Sequence, residues 1–178
     1  MKVLVAYASR YGATKGIAEF IGARLAQRGI QAEVRDVRDL DGPGEIDASV
    51  IGSALYMFRW MKDAKRFVSR NREALASHPV WLFSSGPVGT KTTDARGRDL
   101  LEASGPRELG ELREMLTPRD HRVFFGAFDG SRLRGTDGLF YRMARRSKDA
   151  RESMPEGDYR NWKAIEAWAD GIAQALAG

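Results

Sequence analysis

Residues 2–14 read Lys2-Val3-Leu4-Val5-Ala6-Tyr7-Ala8-Ser9-Arg10-Tyr11-Gly12-Ala13-Thr14, an apolar run that gives way to a polar, glycine-bearing loop. Lys2 to Tyr7 suits a short strand buried on both faces of a parallel sheet. From Thr14 to Arg28 the period changes. Ile17, Ile21 and Leu25 recur at four-residue spacing with Ala18 beside them, and Gly29 is a natural stop. A buried strand, a tight loop and an amphipathic helix form the first half of a βαβ unit.

The pattern continues along the chain. Gln31 to Val37 alternates as a half-exposed edge strand, and Asp41, Gly42, Pro43 and Gly44 mark a turn. Ala48 to Leu55 reads as a second buried strand, Met61 to Ala76 as a helix, and Pro79 to Ser85 as a third buried strand. A polar loop is expected to about Ser104, a helix over Pro106 to Leu116 and a last strand over His121 to Phe128. Asn161 to Leu176 closes as an amphipathic helix with Trp162, Ile165, Trp168, Ala169 and Ile172 on one face. Five strands alternating with helices predict right-handed crossovers and a parallel sheet covered on both faces. In such open sheets ligands bind beyond the carboxyl ends of the strands, here the loops after Tyr7, Leu55, Ser85 and Phe128.

Composition limits the chemistry. The 178 residues fit one domain. With no cysteine there is no disulfide, thiolate metal site or cysteine nucleophile, and His78 and His121 are too few for a histidine-rich metal centre. No metal site is expected. The apolar run Val3 to Ala8 is too short for a signal peptide and Arg10 follows at once; no stretch is long enough to span a bilayer, so a cytoplasmic protein is expected. The net charge is +5. Between Ser131 and Lys148, Arg132, Arg134, Arg142, Arg145, Arg146 and Lys148 face Asp137 alone, so this stretch carries the whole excess. Such a patch points to an anionic ligand, an acidic lipid surface or nucleic acid; no nucleic-acid module accompanies it.

Ser9-Arg10-Tyr11-Gly12-Ala13-Thr14 is neither a Walker loop, which needs Gly-Lys-Ser/Thr, nor a three-glycine dinucleotide fingerprint. A single phosphate would meet helix amides, the positive helix end and the Ser9 and Thr14 hydroxyls. The same residues would serve equally as a helix cap and a turn. Two further loops lie at the same edge: Leu55-Tyr56-Met57-Phe58-Arg59-Trp60, dense in large side chains, and Ser84-Ser85-Gly86-Pro87-Val88-Gly89, rich in amides and hydroxyls. Together they suit the two sides of a flat ring; singly, each reads as core closure or a turn.

These segments resemble the flavodoxin-like fold, and within it the flavodoxin-domain family that includes the menaquinone-dependent protoporphyrinogen oxidases of bacteria. The first loop is similar to the family's FMN phosphate loop. Ile51-Gly52-Ser53-Ala54 resembles its Ile-Gly-Ala-Ser strand end, Gly126-Ala127-Phe128 its Gly-Ala-Leu, and Asp158-Tyr159-Arg160-Asn161-Trp162 its Tyr-x-Asp-Trp helix opening. The likeness runs through essentially the whole chain. It implies a three-layer α/β sandwich, a five-stranded parallel sheet of order 2-1-3-4-5 with helices on both faces, and one domain over 1–178 with a basic insertion at about 129–157. The implied cofactor is FMN. Its phosphate would sit on Ser9, Arg10, Tyr11, Gly12, Ala13 and Thr14, and its ring between Ala54, Leu55, Tyr56, Met57 and Phe58 on one side and Ser85, Gly86, Pro87, Val88 and Gly89 on the other. Tyr11 departs from the small hydroxyl residue usual in flavodoxins.

The resemblance also implies an oxidoreductase that passes electrons from a reduced small molecule, such as protoporphyrinogen, to a quinone, with no catalytic side chain because the flavin carries the chemistry. The basic segment 131–148 could rest on the inner face of a membrane or bind propionates through arginine. The alternative is a flavodoxin-like electron carrier with protein partners and no small-molecule substrate. Charge favours the first: a positive charge ~10 Å from the ring at an effective dielectric of ~20 is worth ~1.7 kcal/mol, or ~70 mV upward for one electron.

Overall fold

In the structure, a computed structural model that describes residues 1–133, 135–144, 146–147 and 155–178, strands and helices alternate as the hydrophobic periods predict. Strand β1 (Lys2–Ala8) leads to α1 (Ala13–Gln27), β2 (Gln31–Asp36) and, after a 3-10 turn, β3 (Ala48–Tyr56). β3 turns back as the two-residue β4 (Arg59–Trp60). Then come α2 (Lys62–Arg70), α3 (Arg72–Ala76), β5 (Val80–Ser85), α4 (Leu100–Ala103), α5 (Leu109–Leu116) and β6 (Asp120–Phe124). A ribbon of β7 (Ala127–Phe128) and β8 (Gly157–Asp158) encloses α6 (Gly135–Ala144), and α7 (Trp162–Ala177) ends the chain.

The five long strands are parallel, in spatial order β2-β1-β3-β5-β6. This is the expected 2-1-3-4-5 order; the small antiparallel β4 shifts the labels by one. Register levels the carboxyl ends: Ala8 lies opposite Ser53, Ala54 opposite Ser85, and Ser85 opposite Phe124. The following loops therefore share one edge.

Alternation along β1 divides the core. Val3, Val5 and Tyr7 pack with Ile17, Ile21 and Leu25 of α1 and Ile165, Ala169 and Ile172 of α7. Leu4, Ala6 and Ala8 pack on the other face with Phe67, Val68, Leu75, Leu112 and Leu116. Burying each large aliphatic side chain contributes roughly 1.5–3 kcal/mol, so this two-sided burial drives the architecture. Arg24 of α1 binds Asp170 of α7 through both carboxylate oxygens, at 2.7 and 2.8 Å, and Arg28 joins them at 2.9 Å.

Four elements differ from their sequence expectation. The Met61–Ala76 helix breaks at Asn71, whose side-chain amide donates to the Phe67 carbonyl at 2.9 Å and competes with the helical ladder. The loop before Ser104 contains α4, capped by the Asp99 carboxylate, which accepts from the Glu102 amide. The Pro106–Leu116 helix starts only at Leu109, after a turn in which the Leu109 amide donates to the Pro106 carbonyl. The His121–Phe128 strand stops at Phe124. Beyond it the Gly126 amide donates to the Pro87 carbonyl, and Ala127–Phe128 pairs instead with Gly157–Asp158. The basic stretch contributes α6, from Gly135 to Ala144; Arg134, Arg145 and Lys148 lie outside the described residues.

Candidate functional site

The level strand ends frame a cleft of about 600 Å³, a size that suits a cofactor or small ligand. Its polar end is the first loop: Ser9, Arg10, Tyr11, Ala13 and Thr14 line it. Ala54, Leu55, Tyr56 and Met57 form one wall, and Ser85 and Gly86 another. Gly12 lies in an adjoining polar hollow, while Phe58, Pro87, Val88 and Gly89 stand off the lining. The cleft also takes Gly126, Ala127, Phe128, Leu133 and Tyr141, which the sequence did not single out as site residues. Gly126-Ala127-Phe128 was visible as a strand end; its presence in the cleft follows from the chain turning away there to form β7.

The first loop gathers the kinds of groups that bind anions. Gly12 has φ +93°, which lets the chain turn sharply into α1. Its amide donates to the Ser9 hydroxyl oxygen at 3.1 Å. The first helical bond runs from the Gly16 amide to the Gly12 carbonyl, so the amides of Ala13, Thr14 and Lys15 precede the helical ladder. The Thr14 hydroxyl is fully buried and has no hydrogen-bond partner. α1 carries no acidic residue in its first turn that would compete for that end. An oxyanion at this point would take the buried hydroxyl, the helix amides and the positive end of the dipole together.

The apolar wall has an unusual backbone. Leu55 pairs with Trp60 and Tyr56 with Arg59, leaving Met57 and Phe58 as a two-residue hairpin turn with φ +50° and +60°. Such turns favour Asn and Gly; a side chain in this region costs roughly 1–2 kcal/mol. Met57 is 87% exposed and Phe58 50%. The strain is held from behind. The Phe58 carbonyl accepts from the Arg107 amide at 2.9 Å, and Arg59 and Lys65 both pair with Glu108. Burial pushes Glu108 up, but hydrogen bonds from Lys65 and the backbone outweigh it and hold the carboxyl below its ordinary range.

Under the hairpin, the buried Trp60 indole N–H donates to Ser84 Oγ at 2.8 Å, and Ser84 Oγ lies 3.0 Å from His121 Nε2. Burial and then the nearby Arg113 push His121 down to about 4 against a weaker pull from Asp120. The ring is therefore neutral at pH 7, and its hydrogen bond with the Ser84 hydroxyl runs in the direction that the imidazole tautomer sets. The chain ties β4, β5 and β6 together, and His121 is not among the residues lining the cleft.

Across the cleft, the Tyr141 ring of α6 meets Phe128 edge-on at 5.1 Å, and its hydroxyl donates to Glu156 Oε1 at 3.0 Å. Apart from Met1, the exposed large apolar side chains among the described residues are Tyr56, Met57, Phe58, Leu139 and Met143. All lie on the hairpin or α6, the two elements that flank the cleft. Among the described residues no cluster of histidine and carboxylate ligands could hold a metal, and no helix is long and apolar enough to cross a membrane.

Comparison with known proteins agrees with this fold. The family model described as Flavodoxin domain matches residues 4–154. Protoporphyrinogen IX dehydrogenase (quinone) of Escherichia coli strain K12 is 25% identical over 181 residues, covering 97% of this chain and 95% of that protein. A flavodoxin from the domain Archaea superposes with a TM-score of 0.58 at 15% identity, and oxidised Flavodoxin 2 from Bacillus cereus with 0.60 at 17%; each covers 100% of both chains.

Proposed function

The chain belongs to the flavodoxin-domain family, and from that premise we propose that it is an FMN-dependent oxidoreductase. In this reading it takes electrons from a reduced small molecule of the protoporphyrinogen class and passes them to a quinone. The observation that carries the proposal is the buried Thr14 hydroxyl, unpartnered beside the first-turn amides, in a residue that borders an apolar cleft. A phosphate at one end and a flat ring at the other satisfy both features. Similarity to the quinone-linked dehydrogenase of Escherichia coli supports the choice of donor and acceptor.

FMN bound there would supply the electron-transfer chemistry. The protein's own residues bind and orient. Ser9, Thr14 and the amides of Ala13 to Lys15 hold the phosphate. Leu55, Tyr56 and Met57 close one side of the ring, and Ser85 and Gly86 offer polar groups along the other. Gly126 allows close approach: a Cβ there would meet the Gly86 carbonyl at 3.1 Å and Ser85 Oγ at 3.3 Å. No side chain is assigned as acid or base, and the neutral His121 stays behind the wall.

The chain acts in this reading as one flavin-binding domain, with residues 129–157 inserted between β6 and α7. The exposed Leu139 and Met143, beside Arg142 and Arg146, support contact of that segment with an anionic membrane surface. The test is anaerobic. FMN-loaded protein is mixed with protoporphyrinogen, and the long-wavelength flavin absorbance is followed. Bleaching with appearance of porphyrin is expected, followed by recovery on adding a menaquinone analogue. Flavin that stays oxidised would reject this donor and return the protein to the electron-carrier reading.

A further inference from the structure

Two arginines from the segment after β6 reach the outer side of the Ser9–Thr14 loop. Arg160 lies at the far end of the β7–β8 ribbon. Its guanidinium is gripped by Asp158 through both carboxylate oxygens, at 2.8 and 2.6 Å, and lies 4.4 Å over the Trp162 ring. It is only 16% exposed, and its Nη1 donates to the Ala13 carbonyl at 3.3 Å. Arg132, just past the near end of the ribbon, makes a looser version of these contacts, with its side chain 63% exposed. Asp129 holds its Nε at 3.2 Å, and its Nη1 donates to the Tyr11 carbonyl at 3.3 Å.

Two glycines make room for them. A Cβ on Gly16 would meet Arg160 Nη1 at 2.5 Å, and one on Gly12 would meet Arg132 Nη1 at 3.0 Å. Gly16 sits inside α1 without a positive φ, so nothing in its backbone calls for glycine. A helix interior otherwise disfavours it relative to alanine. The space it leaves is the space that Arg160 fills.

A trans peptide points its C=O and N–H in opposite directions. With the Tyr11 carbonyl held outward by Arg132, the Gly12 N–H of the same peptide is held on the Ser9 hydroxyl oxygen. That leaves the Ser9 O–H free to rotate toward a ligand in the cleft it lines. Arg160 braces the first turn of α1, which carries the buried, unpartnered Thr14 hydroxyl. Both guanidiniums are already paired with aspartates, so their effect on a phosphate runs through loop shape.

We infer that Arg132 and Arg160 are positioning residues that fix the Ser9–Thr14 loop from behind, making the stem of the inserted segment a determinant of selectivity for a phosphorylated over a dephosphorylated flavin. This rests on the flavin reading above. The contacts concern only the phosphate end of the cleft, so riboflavin, which lacks the phosphate, is the internal control.

The test titrates FMN and riboflavin separately into the full chain, following flavin fluorescence, for wild type, Arg132→Met, Arg160→Met and Gly16→Ala. Gly16→Ala keeps every charge and displaces only the far end of the Arg160 side chain, and alanine favours the helix. Its thermal midpoint should therefore hold or rise. FMN affinity should fall by roughly tenfold in each variant, the scale of one hydrogen bond to a charged group, while riboflavin affinity stays within about twofold. Equal weakening of both flavins would reduce the arginines to general structural supports and overturn the inference. FMN affinity unchanged in Arg160→Met and Gly16→Ala would overturn it as well. Wild type that binds neither flavin would overturn it together with the flavin reading, and so separates the two failures.

Discussion

Thr14→Val separates folding from ligand binding in opposite directions. The Thr14 side chain is fully buried in α1, and its hydroxyl has no partner. A buried, unsatisfied hydroxyl costs about 1–3 kcal/mol. Valine keeps the shape and the β-branch, so removing the hydroxyl should stabilise the flavin-free protein by about 1–2 kcal/mol. At 2–4 °C per kcal/mol for a chain of this size, the thermal midpoint should rise by roughly 2–8 °C. The same change removes a donor to the phosphate, a bond to a charged group worth about 1.5–3 kcal/mol, so FMN should bind roughly 10–100-fold more weakly. The assay pairs thermal denaturation of flavin-free protein with a flavin fluorescence titration. A lower midpoint with unchanged FMN affinity would mean that the hydroxyl serves the fold, and would refute the assignment of this loop to phosphate.

Three other expectations follow from single contacts. His121 has an ordinary value of 6.5 and is held down to about 4 in the fold, so the unfolded chain binds more protons between those values. Stability is then complete above about pH 6.5 and falls as pH drops toward 4, by on the order of 2–4 kcal/mol; His121→Gln should flatten the decline in denaturation midpoint over this window. A Cβ on Gly52 would overlap the buried Phe83 ring, so Gly52→Ala should cost about 1–3 kcal/mol by overpacking; Phe83→Leu in the same chain should restore part of it, as read by urea denaturation. Replacing the left-handed Met57-Phe58 pair by Asn-Gly should raise the thermal midpoint by relieving about 1–2 kcal/mol of strain. A lower midpoint would show that the Arg107, Glu108 and Trp60 contacts specify that turn better than its backbone preference does.

The sheet was legible because β1, β3 and β5 are buried on both faces and read as mostly apolar runs, while α1 and α7 display one apolar face each. The elements that were misread are those set by tertiary contacts. Asn71 looks helical by period, but its backbone leaves the helical region there and its side-chain amide shares the Phe67 carbonyl with its own N–H. Phe124 and Ala127 look continuous, yet the pairing of Ala127 with Asp158 spans thirty-one positions and has no local signature. At the site, the Ser9–Thr14 loop carried its own chemistry in its hydroxyls and glycine. Leu133 and Tyr141 did not, because they reach the cleft only through the path of the inserted segment. Arg160 was visible in the Asp158-to-Trp162 motif, but its contact with α1 depends on the gap at Gly16, which spacing along the chain does not reveal.

The most direct measurement of the central claim is equilibrium binding of FMN to the flavin-free chain, beside the Ser9→Ala, Thr14→Ala double substitution. The account predicts saturable one-to-one binding by the wild type, with quenching or another change in flavin emission as the ring enters the cleft, and an affinity lower by about a hundredfold or more when both hydroxyls are removed. FMN that fails to bind the wild type, or binds the double variant equally well, would contradict it.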